Sequence, residues 1–115
     1  MPIANHIKSI HFCGNALDAL RSFPASAKRD AGFQLDKVQH GMLPDDWKPM
    51  STIGTSVKEI RIHDEAGAFR IIYLAKFESS VYVLHCFQKK IQQISRTDIE
   101  LAQSRYRDLL HEIKP

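Results

Sequence analysis

The sequence predicts an α+β fold in the order β-α-α-β-β-β-α, an antiparallel sheet with two N-terminal helices and one C-terminal helix packed against it. Three observations carry this. Between Val57 and Phe87 lie three strand-like apolar runs separated by short turn sequences. Apolar residues spaced three and four apart recur before that segment, from Ala16 to Met42, and after it, from Ile99 to Ile113. At 115 residues the chain can bury one core but not two, and no repeat or low-complexity tract divides it, so residues 1–115 read as a single domain.

The first strand runs from His6 to Phe12, where Ile10 and Phe12 alternate with Ser9 and His11. Gly14-Asn15 breaks it, and Asn15 is placed to cap a helix reaching about Ser22, with Ala16, Leu20 and Phe23 on one face. Pro24 suits the first position of a second helix. Its stripe is Ala27, Ala31, Leu35, Val38 and Met42, opposite Lys28, Arg29, Asp36 and Lys37, and Gly41 ends it. Gly41 to Ser56 reads as a loop rich in breakers, with Trp47 as an anchor on the domain edge.

Three strands follow, Val57 to His63, Ala68 to Phe77 and Val81 to Phe87, with a hairpin turn at Asp64-Glu65-Ala66-Gly67. The middle strand is apolar on both faces, which marks a central strand covered on both sides. Its one charge, Arg70, shares the face of Ile72 and Leu74, so it is either half of a buried ion pair or an active-site cation. In the last helix Thr97 and Glu100 have the spacing of a capping box. Ile99, Ala102, Tyr106, Leu109 and Ile113 form its apolar seam.

The composition, 43% hydrophobic and 25% charged, is that of a folded globular chain. No apolar run reaches membrane-spanning length, and no apolar signal core opens the chain. Two cysteines are too few for a disulfide framework and point to a reducing, cytoplasmic setting. The net charge of +3 permits nucleic-acid binding without demanding it.

No phosphate-binding glycine loop, GxSxG elbow or HExxH spacing is present. His85 and Cys86, adjacent on a strand, face opposite ways and cannot chelate together, so neither a metal nor another cofactor is expected. Cations and one imidazole do concentrate in the C-terminal half: Lys58, Arg61, Arg70 and His85 on strands, then Gln88, Lys89 and Lys90. Lys58 lies with Ile60 and Ile62, whereas Arg61 lies with Val57, Glu59 and His63, so the two cannot enter one pocket from a regular strand. Fixed cations with an imidazole are what RNA cleavage by its own 2′-hydroxyl requires. The plainer reading is that strand cations are solvated or salt-bridged and that His85 is a hydrogen-bonded core residue.

The segments DWKPM (Asp46 to Met50), VKEIRI (Val57 to Ile62), GAFRIIYLAKF (Gly67 to Phe77) and VYVLHCFQKK (Val81 to Lys90) resemble the phage-derived branch of the RelE/HigB toxin superfamily. The likeness extends to FPASAKRDAGFQLDKVQHG (Phe23 to Gly41) and DIELAQSRY (Asp98 to Tyr106). The resemblance implies a RelE-like fold and a cytoplasmic toxin of a type II toxin–antitoxin pair, an endoribonuclease acting without metal on mRNA in the ribosome. It implies neutralisation by a helix-turn-helix, HigA-like antitoxin. It assigns Arg70 to the scissile phosphate, Lys89 and Lys90 to the basic pair after the last strand, and His85 to an acid or base role. Lys58, Arg61 and Gln88 join them as RNA contacts, although an arginine in the Arg61 motif is often paired to a carboxylate. Arg70→Ala is then expected to relieve growth arrest in a folded protein. Branch members commonly continue as KKTQKT where this chain has Ile91, Gln93 and Ile94, a loss of two hydroxyls and a cation. The alternatives are a toxin of the same fold that binds DNA gyrase, as in the ParE branch, or an interaction module without nuclease chemistry.

Overall fold

The structure, a computed structural model, describes residues 7–113. The elements are β1 (Ser9–Phe12), α1 (Ala16–Arg21), α2 (Ala25–Gln39), β2 (Trp47–Pro49), β3 (Val57–Asp64), β4 (Gly67–Leu74), β5 (Ser80–Lys89) and α3 (Arg96–Glu112). They form one five-stranded sheet in the order β1-β5-β4-β3-β2. The α+β class and element order hold, with two corrections. The sheet is mixed rather than antiparallel, because β1 pairs parallel with β5. The stretch read as a loop also contains β2, an edge strand against β3. His6, the expected start of the first strand, lies outside the described residues.

β4 is the central strand and is covered on both faces, as its double apolar pattern requires. Phe69, Ile71 and Tyr73 pack with Ala27, Ala31, Leu35 and Val38 of α2 in one core layer. Ile72 and Leu74 face the other way, onto Ala102 and Leu109 of α3. Each such large side chain taken out of water contributes roughly 1.5–3 kcal/mol. Met42, expected to extend the stripe of α2, lies beyond the helix end and is exposed. Burial without a hydrogen-bonding anion pushes the Tyr73 hydroxyl well above its usual range, and it pushes the Cys86 thiol up to about 12. Cys86 is therefore an inert core thiol.

A register shift in the β4–β5 ladder sets the rest of the molecule. Tyr73 pairs with Val83 while Ile72 pairs with His85, so Leu84 is the extra residue of a β-bulge. Val81 and Val83 face the α1/α2 layer, yet after the bulge it is Cys86 that does so. His85, Phe87 and Lys89 are thereby turned to the α3 side.

The cap of α3 differs from the expected one. Ser95, not Thr97, is the N-cap, and its hydroxyl accepts from the Asp98 amide at 3.1 Å. The same hydroxyl donates to the Asp98 carboxylate at 2.7 Å. Ser95→Ala should cost about 1 kcal/mol by urea unfolding. Thr97→Ala, on an exposed position without a cap role, should stay within about 0.5 kcal/mol of the parent. Gly54 sits under α3 because any Cβ there would meet the Tyr106 ring at 2.3 Å.

Candidate functional site

Four strands deliver charged side chains to one end of the sheet's α3 face. On β3, Glu59 and Arg61 alternate with the core residues Ile60 and Ile62 and point away from α2. Arg70 on β4 pairs across to Arg61 on one side and to Phe87 on the other. Lys48 lies opposite Glu59 on β2. Lys89 reaches the same face only because of the bulge. A cleft of about 260 Å³ is lined by Lys48, Glu59, Arg61, Arg70, Lys89 and the turn carrying Gln92 and Gln93. A second cleft of about 200 Å³ shares Lys89 and Gln93 with it and adds Lys90, Ser95 and Asp98.

At the back of the first cleft Glu59 and Arg70 are nearly sealed, with side chains 1% and 3% exposed. Arg70 Nε lies 3.6 Å from Glu59 Oε2, an ion pair too long to be a hydrogen bond, and Arg70 Nη1 donates to the Phe69 carbonyl at 3.0 Å. Glu59 Oε2 is buried without a hydrogen-bond donor, and so is Arg61 Nε without an acceptor. Burial pushes the Glu59 carboxyl above its usual range; the field of Arg70, Lys48, Arg61 and Lys89 opposes that shift without cancelling it. Arg70 is shifted down, by burial first and by Arg61 in addition, against the attraction of Glu59. The result is a buried carboxylate held among four cations, behind a half-exposed Arg61 and Lys89.

Of the residues singled out from sequence, Arg61, Arg70, Lys89 and Lys90 come together here, although Arg70 is the closed back wall rather than an open grip. Lys58 and His85 do not join them, and Gln88 reaches only the second cleft. Lys58 lies on the opposite face, its ammonium 5.5 Å from the centre of the half-buried Trp47 ring, because alternation puts it with Ile60. Gln88 lines the second cleft beside Lys89 and Lys90, with its amide donating to the Ala66 carbonyl of the hairpin at 3.1 Å. His85 is buried, stacked on Phe87, with Nε2 2.7 Å from Asp98 Oδ1, so it ties β5 to the first turn of α3 and lines neither cleft. Sequence reasoning missed Lys48, whose strand was read as loop. It also missed Glu59 as a chemical group, although Glu59 shares a face with Arg61 and, across one strand spacing, with Arg70. Among the described residues no group of three or more histidine, cysteine or acidic side chains is arranged to hold a metal ion.

The fold is that of a known structure, a free-state arginine double mutant of the E. coli toxin RelE. The match has TM-score 0.62 at 14% identity and covers 90% of this chain and 99% of that one. No curated protein matches the chain significantly. A family model described as "Phage derived protein Gp49-like" matches residues 18–107, a span that contains β2 to β5 and every residue of the two clefts. The chain therefore belongs to the Gp49-like family of phage-derived proteins.

Proposed function

We propose that this protein is the toxin of a type II toxin–antitoxin pair and an endoribonuclease that cuts mRNA in the ribosome through the RNA's own 2′-hydroxyl. The RelE-like fold and the Gp49-like family support the toxin reading. The observation that carries the chemistry is Glu59: a carboxylate with a raised pKa and an unpartnered oxygen, in a cleft whose other charged residues are all cations. Glu59 takes the 2′-hydroxyl proton, and the 2′-oxygen bonds to phosphorus. Arg61 and Lys89 hold the non-bridging oxygens as negative charge builds there. The bond to the 5′-oxygen breaks, and that oxygen takes its proton from Lys89, leaving a 2′,3′-cyclic phosphate. Arg70 positions Glu59, and His85 positions Asp98 with the turn that walls the cleft. Lys90 and Lys48 guide the RNA backbone along the joined clefts. The action places the protein in the cytoplasm. A HigA-like helix-turn-helix antitoxin is the partner that neutralises it.

Induction of the protein alone should arrest growth, and transcriptome-wide mapping of 5′ ends should show cuts within translated frames. Lys58→Ala should leave both unchanged, while Arg61→Ala and Lys89→Ala should each reduce cutting by about tenfold or more, the scale of one lost charge-assisted contact. One observation favours a second reading. Glu59 and Arg70 are both nearly closed off by their neighbours, which suits a surface that binds a partner such as gyrase without cleaving RNA. Arrest with DNA-damage signalling and intact mRNA would select that reading.

A further inference from the structure

The two edges of the sheet are treated differently. The β2 edge is three residues long and carries Lys48 and Pro49, devices that discourage another strand from joining. The β1 edge, Ser-Ile-His-Phe from Ser9 to Phe12, carries neither lysine nor proline. In its parallel ladder with β5 the Ser9 and Cys13 amides donate to the Ser79 and Val83 carbonyls, both at 2.9 Å. Alternation then turns the amides and carbonyls of Ile10 and Phe12 outward. One step earlier, at Lys8, the outward groups are occupied: the Lys8 amide donates to the Gln39 carbonyl at 2.8 Å, and the Lys8 carbonyl accepts from the Gln39 side chain at 2.9 Å. Gln39, the last residue of α2, thus occupies the outward groups at Lys8, and among the described residues nothing does the same at Ile10 and Phe12.

Beside this edge, between β1 and α3, runs a cleft of about 550 Å³. Its floor is the stacked pair His11 and Tyr82, ring centroids 5.1 Å apart. Arg105 on its wall is already engaged, donating to the Leu84 carbonyl at 2.9 Å and to Asn15 Oδ1 at 2.6 Å. Asp108 and Glu112, one turn apart on α3, are exposed on the rim and form no ion pair among the described residues. Aromatic floor, spent cation and two exposed carboxylates without an ion pair among the described residues make this a seat for cationic side chains with apolar stems.

We propose that β1 and this cleft receive an extended segment of a partner protein, which adds a strand at Ile10 and Phe12 and places lysine or arginine side chains beneath Asp108 and Glu112. Backbone pairing supplies the grip and the acidic rim supplies the choice of sequence. The proposal is independent of RNA cleavage, since the cleft lies along the opposite sheet edge from the Glu59 cleft.

The test uses the full chain and two nine-residue synthetic peptides, one alternating valine with lysine and one alternating valine with glutamate. Amide hydrogen exchange and a binding titration are read together. The lysine peptide should bind, slow exchange at Ile10 and Phe12 at least tenfold, and leave Trp47 and Lys48 unaffected. The Asp108→Lys/Glu112→Lys variant, altered only at exposed positions, should bind it at least tenfold more weakly. Ile10→Pro, which removes an outward amide, should abolish the protection. Equal binding of the glutamate peptide, protection at β2 instead, undiminished binding to the charge-reversed variant, or no binding at millimolar peptide would each overturn the proposal. Slowed exchange at β1 that depends on protein concentration without peptide would overturn it too, in favour of a second copy of this chain.

Discussion

Glu59→Gln lowers ribosome-dependent mRNA cleavage by about 10²- to 10⁴-fold, the span that a positioned general base supplies. Glutamine keeps the shape of the side chain but removes the countercharge of Arg70, so the rates are compared at a temperature where circular dichroism shows the variant folded. The pH dependence follows from the raised carboxyl. Only the ionised form accepts a proton, so the parent's rate climbs with pH through the pKa of Glu59. Because burial holds that pKa above the usual glutamate value, the acidic limb lies at higher pH than an ordinary glutamate would give. The limb vanishes in Glu59→Gln. Single-turnover cleavage against pH measures both effects, and a glutamine variant with parental rate would remove Glu59 from the chemistry.

Arg70→Ala destabilises the fold by about 3–5 kcal/mol, because it strands a carboxylate that is 1% exposed in the core without its countercharge. The sign with pH is fixed by linkage. Glu59 already has a raised pKa in the folded state, and loss of Arg70 raises it further, so the folded form holds a proton that the unfolded form releases. The variant is therefore least impaired below the unfolded carboxyl pKa and loses stability as pH rises through the folded one. Urea unfolding at pH 5 and pH 8 should show the larger deficit at pH 8. Glu59→Leu combined with Arg70→Met should recover the stability, since an apolar pair of similar volume carries no desolvation cost. This corrects the expectation that Arg70→Ala reports on catalysis in an intact fold. At 3% side-chain exposure, Arg70 cannot be removed without disturbing the structure.

The parts of the molecule that were legible in the sequence are those whose signal is local. β4 announces its central place through Phe69, Ile71 and Tyr73 on one face and Ile72 and Leu74 on the other. The seam Ile99, Ala102, Tyr106, Leu109, Ile113 lies against the sheet as the helical period requires. What was not legible depends on groups distant in sequence. Ser95-x-x-Asp98 and Thr97-x-x-Glu100 fit the same capping pattern. The first prevails because His85, on β5, takes up the other Asp98 oxygen. The parallel pairing of β1 joins residues about 70 positions apart, and four residues of β1 carry no sign of direction. β2 is three residues with a proline among them, too short for a periodic signal.

The candidate site turns on the bulge at Leu84. A regular strand would place His85, Phe87 and Lys89 with Val81 and Val83 against α2, and no cationic cleft would form. Nothing in the alternation of VYVLHCFQKK marks where the extra residue falls. The burial of Glu59 was hidden for a related reason. Both faces of VKEIRI carry a charge, so only the coverage by α3 and the turn at Gln92-Gln93 shows which charges leave water.

The most direct measurement is cleavage of a ribosome-bound mRNA carrying a single 2′-deoxynucleotide on the 5′ side of the mapped cut. Without the attacking oxygen, a cleft that only removes a proton and steadies phosphorus has nothing to activate. Cutting at that position should disappear, while the all-ribose message is cut and yields a 2′,3′-cyclic end. Cleavage of both messages at the same bond, or of neither, would contradict the account.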